Sequence, residues 1–270
     1  MSDTLYPLAD AAIQCPDPAR KCELAVALRC RWDRGDVRRD PVGEPRSIGE
    51  PGRPARPHLV PPRDLVQRRL SRTDGRAALI HAVAHIEFNA INLALDAIYR
   101  FRDMPDAYYG DWLQVAAEEA SHFRLLQRRL QELGYDYGDF PAHNGLWQMC
   151  RDTAHDVLVR MALVPRVLEA RGLDVTPGMM ERLRAAGDDR TAEILAVILR
   201  EEEGHVAIGS RWYRYCCEQR GLEPRPLFRQ LLERYMQGGL KGPFNWSARL
   251  NAGFTEDELR ELERLDAPGV

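Results

Sequence analysis

Hydrophobic residues recur every three or four positions through most of this chain, which is the spacing that gives a helix one apolar face. The pattern predicts long helices over about residues 74–101, 106–134, 146–171 and 189–220. Asp106 is a suitable N-cap for the second helix, and Gly221 follows the end of the fourth. No stretch alternates apolar and polar residues as a half-buried strand does. We therefore predict an all-α protein whose core is a four-helix bundle.

Shorter helices are expected around this bundle. They are a short amphipathic helix at 18–34 and accessory helices at 177–186, 226–236 and 255–265. We expect Gly172 to cap the third long helix, and Thr176 to start the next one just before Pro177. Thr255 and Glu258 have the spacing of a capping box, in which two residues at the start of a helix bond reciprocally.

The composition changes between Asp40 and Arg63, where seven prolines occur. Proline lacks a backbone donor and is excluded from helix interiors, so this segment must be extended. Because it carries Ile48, Leu59 and Val60, we expect it to pack on the bundle as a strap. The chain then divides into an N-terminal helix and strap at 1–70, the bundle at 71–222 and a C-terminal helical extension at 223–270.

Acidic side chains interrupt the apolar faces of two long helices. Glu119 and His122 lie on the apolar face of the second helix, and Glu202 and His205 repeat the arrangement on the fourth. Side chains three residues apart share one face of a helix, so each pair can reach one ion. Burial of an unpaired carboxylate is unfavourable unless a partner such as a metal is present. A single Glu-x-x-His motif is more often a surface pair, but two copies within apolar faces indicate a metal site.

The other two long helices each carry one carboxylate on the apolar face, Glu87 and Glu169. Glu169 lies much deeper in its predicted helix than Glu119 does, and a kink or an early non-helical turn must absorb the mismatch. Asp152 and His155 form a rival pair nearer the start of that helix, and geometry alone leaves the choice open. Four carboxylates with two imidazoles suit iron or manganese and not a cysteine-rich zinc site.

The order Glu, Glu-x-x-His, Glu, Glu-x-x-His resembles the ligand order of the ferritin-like di-iron carboxylate superfamily over roughly residues 70–220. The chain also closely resembles a bacterial group named ferritin-like domain of unknown function 455. The resemblance lies in HAVAHIEFNAI, DWLQVAAEEASHFRLL, YGDFPAHNGLW, MALVPRVLEARGLDVTPGM and REEEGHVAIG. The Pro-rich strap and the KGPFN segment match this group too. The phrase LEAR is similar to the third-helix ligand segment of tRNA-modifying di-iron hydroxylases.

The resemblance implies a ferritin-like bundle that holds two iron ions, with manganese or a mixed manganese–iron pair as alternatives. The implied metal ligands are Glu87, Glu119, His122, Glu169, Glu202 and His205. Centres of this kind typically bind oxygen and oxidise another compound. We therefore expect an oxygen-dependent oxidoreductase, of hydroxylase type, that acts on a small organic substrate. Iron oxidation or storage is one alternative, and a non-catalytic protein braced by its metal is another.

The formal net charge of −3 suggests neither a dedicated nucleic-acid-binding protein nor a membrane protein. Residues 1–76 carry 15 Lys and Arg against 11 Asp and Glu, which leaves contact with RNA as an open alternative to a solvated surface. The N-terminus lacks the layout of a signal peptide, and the six cysteines have no Cys-x-x-Cys spacing. We expect a cytoplasmic protein with oxygen and a small molecule as partners, no membrane partner, and a homodimer as an open alternative.

Overall fold

The computed structural model describes residues 4–40, 43–236 and 240–266. Over these ranges the chain is helical, with no β-strand and only isolated bridges between extended segments. The prediction of an all-α protein is therefore confirmed. The chain forms two compact units, Met1–Arg151 and Asp152–Val270, and each is described by itself below.

Five helices carry the first unit. They are α1 (Leu5–Gln14), α2 (Pro18–Asp33), α3 (Thr73–Arg100), α4 (Asp106–Glu132) and α5 (Gly145–Asp152). The long helices α3 and α4 pack along each other, and α1 and α2 pack against them. The bounds of α2, α3 and α4 lie within two residues of those expected from the apolar spacing, whereas α1 was not predicted.

Helix α3 is the apolar centre of the first unit. Its length and composition would let it cross a membrane, yet 78% of its apolar window is buried inside the protein, as is typical of the core helix of a soluble protein. Its buried polar side chains have partners: Nε2 of His81 accepts from the Gly138 amide, and Asp96 pairs with Arg100. These partners offset the cost of burying polar groups in the core.

The Pro-rich strap packs on the first unit. Ile48 is buried, and the carbonyl of Gly49 accepts a hydrogen bond of 2.9 Å from the indole of Trp147. Further along, residues 58–60 exchange two backbone hydrogen bonds with Ala142, of 2.8 and 3.0 Å. Residues 41 and 42 lie outside the described ranges. The strap is thus held by both side chains and backbone bonds over much of its length.

A buried lysine joins the N-terminal helices to α3. The ammonium of Lys21 donates to the carbonyls of Ala12 and Ile13, at 2.9 and 2.6 Å, and to the side-chain oxygen of Asn92, at 2.6 Å. An ammonium has three donors, and each finds an acceptor here. Burial lowers the pKa of Lys21 to about 7, while three oxygen acceptors favour its charged form. One side chain therefore fixes α1, α2 and α3 together.

The second unit consists of helices around one long element. They are α6 (Val157–Leu163), a π-helix (Val164–Glu169), α7 (Ala170–Ala185), α8 (Asp189–Gln219), α9 (Pro224–Tyr235), α10 (Trp246–Asn251) and α11 (Glu256–Asp266). Helix α8 packs against α6, the π-helix and α7. The fourth long helix was thus predicted to within a residue, and α10 was not predicted.

The expectation of one continuous third helix over 146–171 is wrong. Helix α5 ends at Asp152, and the chain makes a turn before α6 begins at Val157. Asp156 caps the new helix, because its carboxylate accepts from the Leu158 amide at 2.8 Å. Pro165 then lies in the π-helix, where the missing N–H of proline disturbs the regular ladder.

The expected helix end at Gly172 and new start at Thr176 are also wrong, since α7 runs through both positions to Ala185. Proline at 177 cannot donate to the carbonyl of Leu173, four residues earlier. That carbonyl instead accepts a hydrogen bond of 3.1 Å from the side chain of Asn245. A residue far along the chain therefore supplies the donor that the helix lacks, and the helix continues.

Two buried ion pairs hold the C-terminal helices on the rest of the second unit. Arg166 in the π-helix donates to Glu258 of α11 at 2.6 Å. Arg249 of α10 forms a two-point pair with Asp174 of α7, at 2.9 and 2.7 Å. Phe254 lies beside both guanidinium groups, with its ring centre 4.5 and 5.0 Å away. A guanidinium over an aromatic face gains a further attraction.

The predicted capping box at the start of α11 is confirmed. The Glu258 carboxylate accepts from the Thr255 amide at 2.8 Å, and the Thr255 hydroxyl accepts from the Glu258 amide at 3.2 Å. These reciprocal bonds satisfy donors that have no partner within the helix.

Candidate metal centre

Three of the predicted ligands meet inside the first unit. Glu87 comes from the middle of α3, and Glu119 and His122 come from adjacent turns of α4. One ligand atom from each lies within 4.8 Å of the others. Two ligands that bind one ion at ~2.1 Å lie up to ~4.2 Å apart. The three side chains are therefore close to the spacing that a shared metal ion requires.

One nitrogen of His122 faces both carboxylates. Nδ1 of His122 lies 3.2 Å from Oε2 of Glu87 and 3.4 Å from Oε2 of Glu119. Glu119 and His122 are fully buried, and Glu87 is 4% exposed. The apolar face of each helix forces these polar groups inward, because the neighbouring side chains on the same face fill the core. Water is therefore excluded, and a cation is the partner that this chemistry favours.

Burial and mutual charge shift the pKa values of this group. Burial and the neighbouring Glu119 carboxylate raise the pKa of Glu87 to about 8. Burial alone lowers the pKa of His122, but hydrogen bonds and charges from Glu119 and Glu87 outweigh it and raise the pKa to about 11. Without a metal, a proton on His122 balances part of the carboxylate charge. A bound metal needs the unprotonated forms, so it must displace these protons.

The second unit carries the other Glu-x-x-His pair, on α8. Oε1 of Glu202 and Nδ1 of His205 lie 3.5 Å apart, one helical turn from each other. Glu202 is 8% exposed, and His205 is buried. The two residues share the face of α8 that bears its buried aliphatic and aromatic side chains. The pair therefore has the same internal geometry as Glu119 and His122.

Glu169 is the last residue of the π-helix and is half-buried in the second unit. Near it, α8 approaches the π-helix closely: a Cβ added at Gly209 would lie 2.2 Å from Cγ of Pro165. Glycine at 209 is therefore required by packing. Gly204, on the same helix, faces open space. The role of Glu169 as a metal ligand stays a prediction.

The rival pair on the third predicted helix does not occupy an apolar face. Asp152 ends α5 and is exposed, and His155 lies in the turn that follows. Nε2 of His155 lies 3.4 Å from the hydroxyl of Tyr235, in an exposed contact. Exposed groups of this kind are ordinary surface residues.

His81 and His85 of α3 have structural roles. Nδ1 of His85 lies 2.8 Å from the hydroxyl of Tyr137, and Nε2 lies 3.2 Å from the carbonyl of His143. Burial lowers the pKa of both His81 and His85 to about 4, so both rings are neutral at pH 7. They fasten the loop after α4 to α3.

The contact between Gly209 and Pro165 is the feature of this region that the sequence did not reveal. A glycine within an apolar helical face was its only signal, and Gly204 carries a similar one without a contact. The two glycines can be distinguished only through the packing partner of Gly209, which lies more than forty residues earlier in the chain.

Comparison with known proteins places the chain in a family. The model of the family described as "Protein of unknown function (DUF455)" matches residues 14–260. A protein from Haemophilus influenzae, described as an uncharacterized protein, is 50% identical in an alignment of 213 positions that covers 76% of this chain and 74% of that protein. No solved structure matches the chain. Since the family match covers most of the sequence, this protein belongs to the DUF455 family.

Proposed function

We propose that this protein is an oxygen-dependent oxidoreductase that holds two iron ions, with manganese as the alternative, and oxidises a small organic substrate. The observation that carries the proposal is the buried group of Glu87, Glu119 and His122, in which one imidazole nitrogen faces two carboxylates. Oxygen donors with one imidazole favour iron or manganese over a closed zinc site. The apolar surroundings favour a resident cation over solvated charges.

The proposed centre has the arrangement of the ferritin-like di-iron proteins. Each Glu-x-x-His pair anchors one ion, and a carboxylate from each of the other two long helices completes the site. The ligands are then Glu87, Glu119, His122, Glu169, Glu202 and His205. Support comes from the similarity of the two pairs, in which the carboxylate and Nδ1 lie 3.4 and 3.5 Å apart.

The break in the third predicted helix supports Glu169 as the sixth ligand. Counted from the helix start at Val157, Glu169 comes after 12 residues, and Glu119 comes after 13 residues from Asp106. Two ligands of one centre should lie at similar depth in their helices, because the rise is ~1.5 Å per residue. The early turn therefore removes the mismatch that counted against Glu169.

The protein's own residues have defined tasks in this proposal. When bound, the two ions supply the redox capacity that the reaction with oxygen requires. Glu87 and His122 release protons as the metal enters, and these protons leave a site without bulk water. The buried apolar side chains around Glu119 and His122 would exclude water from the centre, which would limit side reactions.

The test is metal loading followed by substrate identification. Anaerobic reconstitution with Fe²⁺ should give close to two ions per chain, measured by elemental analysis. The iron-loaded protein should then consume oxygen together with one compound from a fractionated metabolite mixture. A matched sample of the Glu119→Ala, Glu202→Ala double variant should consume neither. Absence of bound iron and manganese from the reconstituted protein would disprove the central claim.

The same experiment separates the alternatives. Oxidation of many Fe²⁺ ions per chain without an organic substrate would assign the protein to iron handling. Tight metal binding with no reaction toward oxygen would assign the metal a bracing role. Either result would replace the proposed oxidoreductase activity.

A further inference from the structure

The first unit contains a pocket that the proposed metal chemistry does not use. It has a volume of about 180 Å³ and lies between α3, the segment just before it and the loop that follows α4. Most of its wall is apolar and includes Val66, Ala78, Ala82, Ile86, Phe140 and Leu146. An apolar cavity of ~150 Å³ is large enough for one benzene ring. The pocket therefore suits a ligand with a single small ring.

The pocket and the candidate metal ligands lie on different sides of α3. His85 belongs to the pocket wall, whereas Glu87 faces Glu119 and His122. Two residues advance the direction by ~200° around a helix axis. A ligand in this pocket would therefore not be the substrate of the metal centre.

Two large apolar side chains at this pocket are exposed. Val66 is 72% exposed and Ile86 is 44% exposed, and both line the pocket. Scattered exposed apolar residues need no explanation, but two that converge on one concave surface mark a binding site. An apolar group bound here would remove both from water.

The polar groups of the pocket are donors. No Asp or Glu belongs to the wall among the described residues, whereas Arg68 and His143 do. Nδ1 of His143 accepts from the Gly145 amide at 3.2 Å, so a neutral ring carries its proton on Nε2 and can donate it. Arg68 binds Asp74 through one nitrogen at 3.0 Å and lies over the Phe140 ring. The guanidinium nitrogens of Arg68 that do not bind Asp74, together with Nε2 of His143, are donors that can bind an anion.

The surrounding chain has the matching charge. Residues 51–76, which run from the strap into α3, contain seven arginines and two aspartates. The segment that supplies Leu65, Val66 and Arg68 to the wall is therefore basic, and positive charge attracts organic anions and raises the rate at which they bind. Both the lining and its surroundings therefore favour the same kind of ligand.

We propose that this pocket binds a small aromatic carboxylate. The ring lies against Ile86 and Phe140, and the carboxylate accepts hydrogen bonds from Arg68 and His143. The site differs from the metal centre in position and in chemistry, because it offers cationic and neutral donors where the metal centre offers carboxylates.

The proposal is tested with benzoate, whose binding to the full-length protein is followed by NMR or calorimetry. Saturable binding of one benzoate per chain is expected, and benzyl alcohol, its neutral counterpart, should bind about 10-fold more weakly. Arg68→Gln should weaken benzoate binding by a similar factor. Arg63→Gln is the matched control, because Arg63 is exposed in the same segment and does not line the pocket. Ala82→Trp should abolish binding by filling the space.

A further variant distinguishes this pocket from the metal centre. Glu119→Ala should leave benzoate binding unchanged, because Glu119 does not line the pocket. Loss of binding in that variant would mean that benzoate occupies the metal centre, and the proposal would be overturned. Equal affinities of Arg68→Gln and Arg63→Gln would overturn it as well, as would the absence of saturable binding. A failed Ala82→Trp variant does not affect the comparison of the two arginine variants.

Discussion

The two Glu-x-x-His pairs are alike, but the helices that accompany them in their own units differ. In the first unit, Glu119 and His122 meet Glu87 from α3, an uninterrupted helix of 28 residues. In the second unit, α8 packs against a chain segment that changes from α-helix to a π-helix ending at Glu169, and then returns to α-helix. In an uninterrupted helix, the helical period alone determines the position of a ligand side chain. An interrupted helix fixes it through tertiary contacts.

Those tertiary contacts are specific in the second unit. Gly209 admits the ring of Pro165, and Arg166 pairs with Glu258 across the unit. The π-helix between α6 and α7 is thus held from two sides. Variants that affect only one unit can test whether a ligand's position depends on the helical period or on tertiary contacts.

The largest expected effect comes from the glutamates of the two pairs. The double variant Glu119→Ala, Glu202→Ala should bind no iron, and each single variant should retain close to one ion per chain, because each pair anchors one ion. The double variant Glu118→Ala, Glu203→Ala is the matched control and should retain two ions, since these neighbours lie off the apolar face. Elemental analysis after anaerobic reconstitution measures the outcome. Full loading of the first double variant would contradict the assignment.

Variants of Glu169 and His155 test which residue of the second unit supplies the remaining carboxylate or imidazole ligand. Glu169→Ala should lose iron, while His155→Ala should keep two ions, because His155 is exposed in a turn. The reverse result would assign the third position to the rival pair.

A large loss of stability is expected from the buried arginine of the second unit. Arg166→Met leaves the buried carboxylate of Glu258 without its cation, and removal of one partner of a buried pair costs ~3–5 kcal/mol. Arg229→Met, which breaks an exposed pair with Glu233, should leave stability nearly unchanged. Urea unfolding of the metal-free proteins measures both. Equal midpoints for the two variants would show that Arg166 is not needed to hold the unit.

Metal affinity should rise with pH because two ligands of the first unit must lose protons. The pKa of Glu87 is raised to about 8 and that of His122 to about 11, so both are protonated in the metal-free protein at pH 6. A metal must displace about two protons below pH 8, and its apparent affinity should increase up to ~100-fold per pH unit there. Competition with a chromophoric chelator at pH 6, 7 and 8 measures this. An affinity that does not change with pH would rule out proton displacement.

The raised pKa of Glu87 has the opposite effect on the stability of the metal-free protein, which should fall as the pH rises. Because the folded pKa of Glu87 lies above its ordinary value of 4.5, its contribution to stability is present below pH 4.5 and is lost as the pH rises through about 8. Glu87→Gln should remove this part of the pH dependence. Thermal unfolding of the metal-free protein between pH 5 and 8 checks the sign.

The smallest effect is expected from two glycines of α8. Gly209→Ala should destabilise the second unit by ~1–3 kcal/mol, because the new methyl group would overlap the ring of Pro165. Gly204→Ala meets open space and should stabilise the helix by ~0.5–1 kcal/mol. The two variants make the same chemical change on one helix, so their opposite signs test packing alone. Equal unfolding midpoints would mean that α8 and the π-helix can separate at low cost.

The sequence predicted helices well where local signals agree. The bounds of α3 and α4 follow from apolar spacing, which depends on near neighbours only. The prediction of Asp106 as an N-cap is wrong, because Pro105 holds that position and Asp106 is the first helical residue. The same spacing identified Glu87, Glu119 and His122, because each is the polar exception on an apolar face. The structure brings these three together in a buried cluster that could hold a metal, and their role as metal ligands stays a prediction.

The sequence failed where distant residues decide the local structure. Thr176 and Pro177 have the signature of a helix start, yet Asn245 satisfies the carbonyl that the proline leaves, and α7 continues. The turn before Val157 and the π-helix around Pro165 depend on similar long-range packing. A count from residue 146 placed Glu169 too deep in its helix, because the helix that leads to it begins at Val157. Apolar spacing also assumes a period of 3.6, from which the π-helix departs.

The double use of Glu258 has a consequence for how the chain folds in the cell. One of its oxygens starts α11 by accepting from Thr255, and the other receives Arg166 from a segment 92 residues earlier. The core of the second unit therefore stays incomplete until Glu258 has been synthesised. The first unit, whose strap, helices and Lys21 contacts lie within residues 1–151, has no such delay and can fold while synthesis continues.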